Sequence, residues 1–121
     1  MVLVDTSIWI EHFRAGDVHL AMLLGEGQVL THPFVIGELA CGNLRNRRQI
    51  LDYLACLPQV PLASSEEVLF FIEQHQIMGK GIGYIDVSLL ASTVLATCRL
   101  WTRDLRLKKI AVNLNIAYKA G

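Results

Sequence analysis

Four carboxylates in this chain stand where α/β proteins do chemistry. Asp5 follows the apolar run Val2-Leu3-Val4, and Asp104 follows the strand-like Cys98-Arg-Leu-Trp-Thr102 after a single Arg103, so each comes at the carboxyl end of a predicted strand. In open α/β sheets the crevice beyond those ends is where ligands bind. Asp86 opens the run Val87-Ser-Leu-Leu-Ala-Ser-Thr-Val-Leu-Ala-Thr97, which is apolar and small enough to be packed on nearly all sides, and Glu38 falls inside the almost wholly apolar Phe34 to Cys41. Carboxylates drawn together repel, and a hard divalent cation is what makes such a cluster worth keeping. Oxygen ligands without His or Cys favour Mg²⁺ or Mn²⁺ over zinc.

Each acid also has a plainer role. Asp5 or Thr6 can cap the helix that Ile8, Trp9, His12 and Phe13 begin, Asp86 gains from a helix dipole, and Glu38 can occupy a solvent-facing stripe. What argues for joint action is recurrence: two acids at strand ends and two on packed helices are a poor match for four independent caps.

Other residue types offer less. His12, His19, His32 and His75 have no second His or Cys at ligand spacing and read as structural or surface residues. Cys41, Cys56 and Cys98 are odd in number and without a C-x-x-C pair, which suits reduced thiols packed as small hydrophobes. Gly79-Lys-Gly81-Ile-Gly83 lacks the Ser or Thr of a P-loop and is an incomplete dinucleotide fingerprint, so it reads as a flexible lead into the Asp86 helix.

The elements that must position the acids follow from local pattern. Val2 to Val4, Val29 to Thr31 and Cys98 to Thr102 read as strands, Val60 to Leu62 as a brief edge strand because Pro61 would spoil a central one, and Ile116 to Tyr118 as a last strand. Helices are expected from Ile8, over Val18 to Leu24, from Pro33 to Gly42, over Ile50 to Leu57, after the capping box Ser64-Ser-Glu-Glu67, and from Asp86. The basic cluster Arg45, Arg47 and Arg48 reads as a solvated face. No repeat of fixed period is present.

A chain of 121 residues, 53% hydrophobic and 18% charged, is long and apolar enough for a single domain over 1–121 with a core of its own. Eleven basic and eleven acidic residues cancel, so any attraction for phosphate must be local. The amino terminus lacks a basic n-region and its apolar run is broken by Asp5, Glu11 and Arg14, while the stretch from Leu89 to Leu100 is too short and too interrupted to span a bilayer. A cytoplasmic, soluble protein with no membrane partner is expected.

Taken in order, strand-Asp5-Thr-Ser, the helical Glu38, Gly-Ile-Gly-Tyr-Ile-Asp86 before Leu-Leu-Ala-Ser, and Trp-Thr-Arg-Asp104 resemble the PIN-domain ribonucleases over essentially the whole chain, and in size and loop pattern the VapC toxins of toxin-antitoxin pairs. The resemblance implies an α/β, three-layer fold with a mainly parallel sheet of four to five strands wrapped by helices. It implies that Asp5, Glu38, Asp86 and Asp104 hold one or two Mg²⁺ or Mn²⁺ ions, with Thr6 and Thr102 as hydrogen-bonding neighbours. The implied activity is a metal-dependent endoribonuclease acting on RNA, the implied partners a VapB-like antitoxin and a second copy in a homodimer. Arg103, Arg106, Lys108 and Lys109 are the nearest cations for an RNA backbone. Ile85 departs from relatives with a polar residue there.

Three rival readings make different demands on these residues. A haloacid-dehalogenase phosphatase needs a second Asp where Ser7 stands, and a receiver domain needs a Lys at a late strand end where Asp104 stands. A vestigial acid pocket in an interaction domain is disfavoured because all four acids are intact.

Overall fold

A computed structural model describes residues 1–120. Its centre is a parallel sheet in which β1 (Val2–Val4) lies between β2 (Val29–Leu30) and β3 (Arg99–Trp101). Leu3 faces Leu30 on one side and Leu100 on the other, and Val4 faces Trp101. Successive strand residues point to opposite faces, so three buried residues in a row mean that β1 is covered on both sides. The outcome is the three-layer α/β arrangement expected.

Among the described residues only three strands form ladders. The outer two positions are single parallel bridges, Thr31 with Gln59 and Leu100 with Ala117. On the first edge the chain is held by Thr31 N–H to Pro58 O and Val60 N–H to Thr31 O, both 2.9 Å, and Pro58 and Pro61 have no N–H with which to extend it. The expected strands at Val60 to Leu62 and Ile116 to Tyr118 are thus reduced to one bridge each.

Among the described residues seven helices surround the sheet: α1 (Thr6–Ala15), α2 (Val18–Gly25), α3 (Pro33–Ala40), α4 (Arg47–Cys56), α5 (Ser65–His75), α6 (Tyr84–Leu95) and α7 (Leu105–Asn113). Their ends follow cap chemistry. Asp17 accepts from Leu20 N–H at 2.9 Å, and Ser64 and Glu67 form a reciprocal capping box at the start of α5. Arg47 is not merely solvated: its guanidinium donates to Ala40 O and Gly42 O, closing the open carbonyls at the end of α3.

Helix α6 is buried over seven consecutive residues, Val87 to Thr93, and packs on α5 and β3. Its hydroxyls are absorbed internally, Thr93 donating to Leu89 O at 2.7 Å and Ser92 meeting His32 Nε2 at 3.2 Å. Helix α7 is not among the helices expected from the sequence, where Arg106, Lys108 and Lys109 read only as cations for an RNA backbone. Leu107, Ile110 and Ala111 nevertheless recur at helical spacing, and Leu107 and Ala111 are fully buried. Among the described residues no helix is long and apolar enough to cross a membrane.

Candidate metal-binding acidic site

The parallel register of β1 and β3 sets the site. Because Val4 pairs with Trp101, the residues just beyond, Asp5 and Thr102, leave the sheet side by side, joined by Asp5 N–H to Trp101 O at 3.0 Å. Asp5 occupies the N-cap position of α1 yet makes no side-chain cap bond. Its carboxylate, 5% exposed, turns across the sheet instead, and Oδ2 accepts from Thr102 Oγ1 at 2.7 Å and from Ser7 Oγ at 2.8 Å. Helix capping therefore does not account for this acid.

Ser7 was not singled out in the sequence. Its Oγ accepts from Arg103 N–H at 3.0 Å, while Thr102 Oγ1 accepts from Asp104 N–H at 3.1 Å. Two hydroxyls thus bind one carboxylate oxygen and, through their lone pairs, the backbone that carries Asp104. The Asp-Thr-Ser run was the available signal, since a Ser two residues past a strand-end acid can reach back to it.

Asp104 fills both roles open to it. Oδ1 caps α7 by accepting from Arg106 N–H at 2.9 Å and Leu107 N–H at 3.1 Å, and its charge still reaches Asp86. Glu38 lies on the exposed stripe of α3, the plainer of its two readings, but Thr6 Oγ1 donates to its Oε1 at 2.7 Å and fixes it toward α1.

Asp86 is where the four acids meet electrostatically. It sits in the first turn of α6, which begins at Tyr84 and has Gly83 as its N-cap. Its carboxyl is raised from 3.8 to about 6, first by burial and then by the charges of Asp5, Asp104 and Glu38, with the Gly83 backbone bond acting the other way. The four are near enough to repel, but among the described residues no three acidic, His or Cys side chains already converge on a single ion position. Each carboxylate is tethered by its own hydroxyl or backbone donors.

The four cations near Asp104 do not share one face. With about 100° between successive helical residues, Leu107 and Ala111 face the core, Lys109 points away from it, and Arg106 and Lys108 lie on opposite flanks. Arg106 turns toward Gly81, whose carbonyl accepts from Nη1 at 3.4 Å. The charge of Arg103 lowers the Glu11 carboxyl, an effect secondary to the hydrogen bond from Arg14.

The histidines have structural partners. His32 is fully buried, accepts from Phe34 N–H through Nδ1 at 3.0 Å, and has its titration pushed down to about 4 by burial. His12 Nδ1 accepts from Asp17 N–H at 2.9 Å, and His19 meets the Tyr118 hydroxyl at 2.7 Å. Beside the acids, with Glu38 on its wall, a cleft of about 590 Å³ runs between α1, α3 and the 42–46 loop, lined by Ile10, Phe13, Leu39 and Ile50 with Arg14 and Arg45.

Known proteins share this chain's sequence pattern and its fold. The family model for the PIN domain matches residues 2–113. Ribonuclease VapC32 of Mycobacterium tuberculosis, in strain CDC 1551 / Oshkosh and in strain ATCC 25618 / H37Rv, is 46% identical to this chain over 118 residues, covering 97% of this chain and 95% of the relative. The crystal structure of PAE2754 from Pyrobaculum aerophilum superposes with a TM-score of 0.58 over 90% of this chain and 78% of that one; at 16% identity the likeness is one of fold.

Proposed function

The chain belongs to the PIN-domain family, and from that premise we propose that it is a Mg²⁺- or Mn²⁺-dependent endoribonuclease, the toxin of a toxin-antitoxin pair. The observation that carries the reading is that Thr102 ties Asp5 and Asp104 together at the ends of β1 and β3, close enough to Asp86 for both, with Glu38, to push its carboxyl up. A pocket of uncompensated negative charge with oxygen donors alone suits a hard divalent cation. Asp5, Asp86, Asp104 and Glu38 are the residues that would hold it.

Bound there, the ion supplies charge stabilisation on the phosphoryl group and easier ionisation of water for in-line attack on an RNA phosphodiester. The chain's own contribution is positional. Ser7 and Thr102 fix one oxygen of Asp5, Thr6 fixes Glu38, and the α7 backbone fixes Asp104. Asp5 and Asp104 serve mainly as ligands, while Asp86 and Glu38 complete the shell or orient water.

RNA as substrate is supported by the ribonuclease name of the Mycobacterium relative, and a VapB-like antitoxin by the toxin resemblance together with the apolar cleft that ends at Glu38. A cytoplasmic setting and a homodimer complete the reading, the latter supported by exposed apolar residues such as Leu69 and Phe70. Purified protein with Mn²⁺ should cleave structured RNA, and Asp5→Asn should abolish cleavage with the fold intact. Equal cleavage by the two proteins would defeat the proposal. Cleavage unchanged by saturating antitoxin would defeat its partner half.

A further inference from the structure

Arg106 is a candidate for gripping the RNA backbone, and its exposed side chain lies against the 79–83 loop. A Cβ placed on Gly81 would lie 3.0 Å from Arg106 Nη1, 3.1 Å from Cδ and 3.4 Å from Cζ, so the arginine lies along the bare α-carbon of that residue. Nη1 also donates to Gly81 O, a long bond at 3.4 Å. Gly81 has φ +80°, a conformation that L side chains rarely adopt, so the backbone there calls for glycine, and an added Cβ would also push the Arg106 side chain aside. Gly79 and Gly83, in the same loop, would have nothing within 4 Å of an added Cβ. Gly81 is therefore where the loop is fastened.

What it is fastened to gives the contact its meaning. The backbone N–H of Arg106 donates to Asp104 Oδ1 at 2.9 Å, so one residue holds Asp104 through its main chain and the 79–83 loop through its side chain. That loop ends at Gly83, the N-cap of α6, which has no side chain with which to cap the helix. The start of α6 carries Asp86. We propose that Arg106 is a positioning residue, a clasp that holds the Gly79–Gly83 loop against the start of α7 and thereby sets Asp86 against Asp104. Arginine suits the task because its stem and guanidinium both border the glycine while Nη1 reaches the carbonyl, which a lysine ammonium cannot reproduce.

The clasp rests on the metal-dependent reading of the acids, and the test separates the two. Wild type, Arg106→Ala, Arg106→Lys and Gly81→Ala, all as the full chain, are compared in Mn²⁺ binding by calorimetry, in kcat and KM on RNA at several salt concentrations, and in tryptic nicking after Lys80 relative to nicking after Arg45 in the loop before α4. The expected result is faster relative nicking after Lys80 and about 10-fold weaker Mn²⁺ binding in all three variants, the loss typical when a group supporting a metal ligand is removed. Cleavage should fall in kcat and recover at high Mn²⁺, with KM and its salt dependence unchanged. Arg106→Lys decides between roles: it should behave like the alanine variant if Arg106 is a clasp, and like wild type if Arg106 is only a positive charge for phosphate. A raised KM and a shallower salt dependence in Arg106→Ala, with Mn²⁺ binding and nicking unchanged, would overturn the clasp. Wild type that neither binds Mn²⁺ nor cleaves RNA would overturn the functional proposal instead, and relative nicking after Lys80 would still decide the clasp.

Discussion

The hydroxyl of Thr102 donates to Asp5 Oδ2 at 2.7 Å across 97 residues of chain, and the same oxygen accepts the Asp104 N–H. Thr102 thus links two of the four acids, one through its carboxylate and one through its backbone. Thr102→Val keeps the shape and removes the link, leaving Asp5 to Ser7 alone. Mn²⁺ affinity should fall about 10- to 100-fold and the apo protein lose about 1–3 kcal/mol, whereas Thr102→Ser should retain most of both. Calorimetry and chemical denaturation measure the two effects. A valine variant with wild-type metal affinity would remove Thr102 from the site.

Asp104 both caps α7 and belongs to the acid cluster, and two substitutions separate these roles. Asn is as good an N-cap as Asp, so Asp104→Asn should leave the helix intact while relieving repulsion and reducing the thermal shift produced by Mn²⁺. Asp104→Ala loses the cap as well and should be about 1 kcal/mol less stable than the Asn variant without metal. Thermal melting of wild type and both variants, with chelator and with Mn²⁺, measures these effects. Equal metal shifts in Asp104→Asn and wild type would return Asp104 to a cap alone.

Two shifted groups make opposite demands on pH. Asp86 titrates near 6 when folded and near 3.8 otherwise, so in that window the folded state holds the extra proton and apo stability falls as pH rises. His32 titrates near 4 when folded and near 6.5 otherwise, so the unfolded chain holds the extra proton and stability rises with pH. Each slope is at most about 1.4 kcal/mol per pH unit, and between about 4 and 6 they oppose one another. Apo wild type should show little change from these two groups in that range, while apo Asp86→Asn should gain stability as pH rises. Urea denaturation across the range tests this, and parallel profiles for the two proteins would contradict the raised Asp86 carboxyl.

Thr31 is fully buried, and its hydroxyl has no hydrogen-bond partner among the described residues. Thr31→Val replaces that hydroxyl with a methyl of similar size and should stabilise the protein by about 1 kcal/mol, roughly 3–6 °C in Tm. A lower Tm would mean that the hydroxyl is bonded, by water or in another rotamer, and that the valine strands its partner.

Much of the fold was legible because it is written in local chemistry. The all-apolar Val2 to Val4 marks a strand covered on both faces, the Ser64 and Glu67 box and Pro33 mark helix starts, and the small-residue run after Asp86 marks a helix packed all round. Helix α7 was legible in the same way, from Leu107, Ile110 and Ala111, but the surrounding cations drew attention from the spacing. The four acids could be picked out by type and by place in the strand and helix pattern. What they face could not. Whether Asp5 caps α1 or turns to Thr102 depends on the register that sets Val4 beside Trp101, and that register is a property of the assembled sheet. The same holds for Thr6 reaching Glu38, for Ser7 joining Asp5 to Arg103, and for Arg106 lying on Gly81. Hydrogen bonds and repulsions act over a few ångströms in space, whereas sequence patterns report only neighbours along the chain. The residue types were therefore fixed by the sequence, and their partners by packing.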